Sequence, residues 1–128
     1  MKKNKLVIKI NKPSKDVYGF YINPQNTPMW LDFIFKENVS EWPIKIGSIY
    51  KNQNIYGNWM QYTVVTLVEN KIFELVSQDG NYHVRYTHKD IDKNSSFLKY
   101  YEWVDHEELE DPFTIETLRK LKEIIENN

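Results

Sequence analysis

Cysteine is absent from the 128 residues, which excludes a disulfide framework and thiolate chemistry. Glycine is scarce, with four in the chain, and no Gly-rich phosphate loop occurs, so a nucleotide cofactor is not expected. No apolar run approaches the ~20 residues of a membrane-spanning helix, and the N-terminus has no apolar signal region. A cytoplasmic location is therefore the default expectation. Neither sign of charge dominates: 17 Lys and Arg stand against 18 Asp and Glu, for a formal charge of -1. That balance gives no argument for nucleic acid as a partner. There are three histidines. His83 shares a strand face with Arg85, His88 falls in a polar stretch, and His106 sits in an acidic one. Such scattered ligands do not converge on a metal, and no metal, cofactor or catalytic set is expected.

Aromatic residues are abundant: nine Tyr, six Phe and four Trp, 15% of the chain. They either fill a curved sheet or line a pocket for a flat or greasy ligand. The length suits a single domain spanning residues 1–128.

The clearest helical pattern occupies residues 112–127, where Leu118, Leu121 and Ile125 recur at three- and four-residue spacing. Asp111-Pro112 offers an N-cap followed by Pro at the first helical position, and Thr114 is the rival start. An isolated helix of this length is marginal in water, so its apolar stripe must pack on something. Upstream, alternation predicts strands over 5–11, 36–42, 48–54, 59–68, 71–77, 81–87 and 96–104. Asp79-Gly80 is the strongest two-residue turn signal. Residues 14–22 and 25–35 read as two short helices, and residues 88–95 as a charged loop. The resulting fold class is α+β. A curved, antiparallel, seven-stranded sheet wraps a long C-terminal helix, with two short helices after the first strand. That first strand must rejoin the sheet at an edge.

Three stretches carry a family likeness. Residues 6–30 hold Pro13, Val17, Tyr18, Asn23-Pro24 and Trp30; residues 44–50 hold Gly47; and residues 100–126 run a strand into the last helix. Together they resemble the START-like, Bet v 1-like superfamily of helix-grip proteins, which includes polyketide cyclases, dehydrases and lipid transport proteins. The resemblance implies a hydrophobic cavity between helix and sheet. It leaves activity open, because members bind lipids, hormones or polyketides, catalyse cyclisation or dehydration, or serve as regulatory modules.

Strand parity proposes the cavity's lining. Phe73 and Leu75 share one face, as do Tyr82, Val84 and Tyr86. Tyr62 and Val64 are preferred inward. In the last strand, one face holds Leu98, Tyr100 and Glu102; the other holds Phe97, Lys99, Tyr101 and Trp103. Inward placement of Glu102 would demand a partner or a raised pKa, whereas a strand-end position would let it reach water. Trp30 and Phe33 would close one end, while Thr117, Leu118, Leu121 and Ile125 would form the helical wall.

Three functions remain open. One is binding or carrying a small hydrophobic ligand, lipid-like or aromatic. The second is a surface-acting regulatory or interaction module with a filled core. The third is a cyclase- or dehydratase-like enzyme. A cavity above ~300 Å³ would favour binding, and a closed one below ~100 Å³ a filled core. Trp42 and Trp59, outside the expected core, leave a homodimer open.

Overall fold

The computed structural model describes all residues from Met1 to Asn128. Seven antiparallel strands form one sheet in the order β1-β7-β6-β5-β4-β3-β2. They are β1 Lys3–Ile10, β2 Ile34–Val39, β3 Ile49–Asn54, β4 Trp59–Val68, β5 Ile72–Ser77, β6 Tyr82–Asp92 and β7 Ser95–Val104. Between β1 and β2 lie α1 (Ser14–Tyr21), a 3₁₀ turn at Pro24–Asn26 and the single-turn α2 (Thr27–Trp30); α3 (Ile115–Glu126) ends the chain. The helix-grip arrangement is as expected, with β1 rejoining at an edge beside β7.

Alternation sets the faces of β1. Leu6 and Ile8 pack against the core and Ile10 joins it, while Val7 is exposed. Near Asp79-Gly80, the Asp79 carboxylate accepts from the Ser77 hydroxyl at 2.6 Å and from the Asn81 N–H at 3.0 Å. Gly80 takes a φ of +81°, a conformation that a Cβ would strain. β4 contains a bulge between Val64 and Thr66. The extra residue shifts the parity, so Leu67 lies opposite Phe73 and packs on the core.

Three boundaries differ from the sequence expectation, each for a physical reason. The second short helix stops at Trp30, and Ile34 already pairs with Asn54 in the sheet. The stretch from His88 to Asp92 belongs to β6, because its charged residues Lys89, Asp90 and Asp92 are exposed and cost nothing in a strand. The last helix starts after Thr114, not at Pro112. Asp111 has a φ of +49°. The Phe113 N–H donates to Glu102 Oε2 at 2.8 Å, and its carbonyl accepts from Asn4 Nδ2 at 2.8 Å. The backbone of Phe113 is thus committed to the sheet before the helix begins.

Leu118, Leu121 and Ile125 sit in the core with Ile10, Val17 and Leu98. Burying one such aliphatic side chain contributes about 1.5–3 kcal/mol, so this stripe holds α3 on the sheet.

Candidate functional site

A cavity of about 100 Å³ opens between the sheet and the α2 region, and 14 of its 17 lining residues are hydrophobic. The sheet supplies Phe73 and Leu75 from β5, Tyr82, Val84 and Tyr86 from β6, Tyr62 from β4 and Tyr100 from β7. Trp30 and Phe33 contribute from α2 and the turn after it. Phe33 is 49% exposed and lies where the wall meets solvent. These nine residues lie together around one cavity, seven on strands and Trp30 and Phe33 at its α2 end.

The remaining seven are placed elsewhere. Leu118, Leu121 and Ile125 face packed side chains and not the cavity, and Thr117 on the same helix lies outside it too. Phe113 takes the place expected of that helix. Its ring stacks on Tyr100 with centroids 4.5 Å apart and meets Trp30 edge-on at 5.9 Å. Val64 and Leu98 are buried in the core itself.

Glu102 is 1% exposed, yet it does not line the cavity. Its carboxylate accepts from the Tyr82 hydroxyl at 2.8 Å, the Asn4 amide at 3.0 Å and the Phe113 N–H at 2.8 Å. The inward parity of β7 is therefore realised, and neither a strand-end contact with water nor a free carboxylate is found. Three donors make this a structural clasp.

Eight lining residues escaped parity reasoning: Tyr21, Thr27, Leu31, Ile34, Glu37, Tyr50, Asn52 and Phe113. The signal for three of them lay in the strand pairing. Glu37 and Asn52 are cross-strand partners, and Tyr50 and Asn52 share a face. Glu37 Oε1 accepts from the Thr27 hydroxyl at 2.6 Å, and Oε2 from the Asn52 amide at 3.1 Å. Burial raises the Glu37 pKa, and these two hydrogen bonds only partly offset it.

Burial raises the phenols as well. Tyr62 is pushed up to about 12, and Tyr21, Tyr50, Tyr82, Tyr86 and Tyr100 also rise. All stay neutral at physiological pH. They can orient a polar group but have little power as bases. Tyr50 is spent on the Ile22 carbonyl at 2.6 Å.

His88 stands behind the cavity wall. Its Nε2 lies 2.5 Å from the Tyr21 hydroxyl, and its ring stacks on the Tyr21 ring at 5.4 Å. It is buried, contrary to the loop expected there, because it continues the Tyr82, Val84, Tyr86 face. Burial lowers its pKa to about 4. No group of three or more His, Asp and Glu residues gathers into a metal-holding cluster.

The outer face of the sheet carries a second aromatic set. His83 stacks on Trp103 at 4.7 Å, Arg85 sits 5.6 Å over the same ring, and Glu74 pairs with Arg85 at 2.5 Å. No helix is long and apolar enough to cross a membrane.

With this geometry in view, the class of fold is plain: it is a helix-grip fold, similar to that of solved START superfamily proteins. A START superfamily protein from Mycobacterium smegmatis is similar across 99% of both chains, with TM-score 0.76 and 14% identity. The protein XoxI from Bacillus cereus covers 99% of this chain and 97% of its own, with TM-score 0.74 and 14% identity. The Aha1 dimer from Colwellia psychrerythraea covers 98% and 97%, with TM-score 0.68 and 15% identity. No family model and no curated protein matches the sequence.

Proposed function

We propose that the protein binds a small, mostly apolar ligand in the cavity between the sheet and α2. The observation that carries this reading is the wall itself: 14 of 17 lining residues are hydrophobic, around a space of about 100 Å³. That size bounds the ligand. Drug-sized pockets start near ~300 Å³, while a cavity of ~150 Å³ lined by apolar side chains takes up benzene. A single ring is the upper limit at this scale, and a sterol or fatty chain is too large. The volume stands at the lower edge of a binding site, so the aromatic ligand is favoured over the lipid-like one.

Differential scanning fluorimetry with toluene, indole and myristate tests the reading. A ligand that binds only the folded chain raises the unfolding midpoint with its concentration. Toluene or indole is expected to raise it, and myristate is not. A midpoint indifferent to both ring compounds would sink the cavity reading.

A surface-acting role is the second reading. It is favoured by Phe35, Tyr56 and Trp59, exposed by 64%, 82% and 52%. Lys36 caps the Trp59 ring at 5.3 Å. The similarity to a protein solved as a dimer is in keeping with it. Sedimentation velocity across a hundred-fold range of concentration would show a rising sedimentation coefficient if these residues join two copies.

A further inference from the structure

The near-zero formal charge hides how unevenly charge is placed. Lys3, Lys5 and Lys9 on β1, Lys99 on β7 and Lys89 on β6 all fall on the outward face of the sheet. All five are exposed, and none has a carboxylate partner. In the rows where these three strands pair, no Asp or Glu takes an outward position; Asp92 lies beyond the last row, near Lys9. Arg85 shares the face, but Glu74 on β5 neutralises it. The rest of the chain carries the excess of acidic residues. A patch of one sign projects its field on whatever approaches, so this face suits an anionic partner.

The shape of the patch narrows the partner. Lys3 and Lys9 stand about 20 Å apart along β1, and the three strands span about 10 Å across. The cations thus form a plane, not a line, on the outside of a curved sheet. A single nucleic-acid strand is held by a groove that tracks its backbone and by open ring faces on which bases stack. Here the ring faces are taken. Trp103 stacks on His83 at 4.7 Å and on Tyr101 at 4.6 Å, and Lys5 lies 4.9 Å over the Tyr101 ring. A membrane surface needs neither groove nor open ring. It presents anionic headgroups over a plane, and Trp and Tyr sit readily at headgroup depth. Val7 and Phe97, both exposed, add apolar contact among the lysines.

We propose that the outer face of β1, β7 and β6 docks the protein on a membrane surface rich in anionic lipid. The lysines meet the charged headgroups, and Trp103 and Tyr101 settle at their level. The cavity lies on the inner side of the sheet, so docking leaves it free.

Co-sedimentation of the full chain with vesicles tests this, with equal parts of phosphatidylcholine and phosphatidylserine against phosphatidylcholine alone. Binding to the mixed vesicles is expected, with little to the neutral ones, and about 0.5 M salt should release it. Each lysine near an anionic surface contributes about five-fold in affinity, so Lys89→Gln with Lys99→Gln should weaken binding about 25-fold. Lys15→Gln with Lys45→Gln removes as much charge off these three strands and should bind as the unaltered protein does. Lys3→Gln with Lys9→Gln repeats the comparison should the first pair fail to fold, as judged by circular dichroism. Equal weakening by the face pair and the control pair would overturn the assignment to this face. Equal binding to neutral vesicles would overturn its electrostatic basis. Tighter binding to a single-stranded oligonucleotide than to the mixed vesicles would overturn it in favour of nucleic acid. Failure to bind the mixed vesicles would remove the proposal and leave the cavity function standing.

Discussion

The two sides of the space under the sheet are built from different materials. On the β1, β7 and α3 side, branched aliphatics fill the volume: Ile10, Leu98, Leu118, Leu121 and Ile125 are buried together in the core, and none of them lines the cavity. On the α2 side, flat rings enclose about 100 Å³. Each side also carries a carboxylate, Glu102 buried and Glu37 half-buried. Glu102 has three donors and serves the architecture. Glu37 has two donors, and its neighbour Asn52 keeps an unmatched oxygen. Flexible aliphatic side chains can close a gap, whereas stiff rings held by their own hydroxyls cannot follow one another inward. The contrast separates the side that holds the fold together from the side that encloses the cavity.

Breaking the aliphatic side should cost most. Leu118→Ala or Leu121→Ala is expected to destabilise the protein by about 2–5 kcal/mol, read as a lower urea midpoint at unchanged slope. Acid should reach the aromatic side through His88. Its folded pKa, about 4, lies below the ordinary 6.5. The unfolded chain therefore takes up this proton first, and stability that is complete above about pH 6.5 drains away as pH falls toward 4. The loss approaches about 3 kcal/mol. Urea midpoints at pH 7 and pH 4.5 measure it, and His88→Gln should remove most of the difference.

The two carboxylates offer a finer contrast. Tyr82→Phe removes one donor from Glu102 and should cost about 1–3 kcal/mol. Glu37→Gln should do the opposite at neutral pH. The raised Glu37 pKa means that its contribution is present at low pH and is lost as pH rises through the folded value. The substitution should therefore stabilise at pH 7, with the gain vanishing in acid. The smallest expected change is Leu75→Phe, which grows into the cavity. It should shift stability by less than about 1 kcal/mol while abolishing the midpoint rise with toluene.

Much of the fold was legible because alternation has a period of two and most strands keep it. Phe73, Tyr82, Tyr86 and Tyr100 follow from parity alone. The cavity's other wall was hidden by local composition. β2 and β3 look polar, which masks Glu37, Tyr50 and Asn52, and their shared face emerges only once the two strands are paired. His88 continues an apolar face, but Lys89, Asp90 and Asp92 obscure the pattern. The helical wall was misplaced because the pattern of residues 112–127 does not reveal that Phe113 is drawn to the sheet. That contact depends on Asn4 and Glu102, which lie far away in sequence.

Phe113 has a consequence for motion. Its N–H is bound to Glu102, its carbonyl to Asn4, and its ring lies flat on Tyr100. Any widening of the cavity on this side must release that amide. Hydrogen exchange at Phe113 therefore clocks the opening of the cavity, and it should run faster than exchange at the centre of β7 and slower than exchange at the exposed residues just before it.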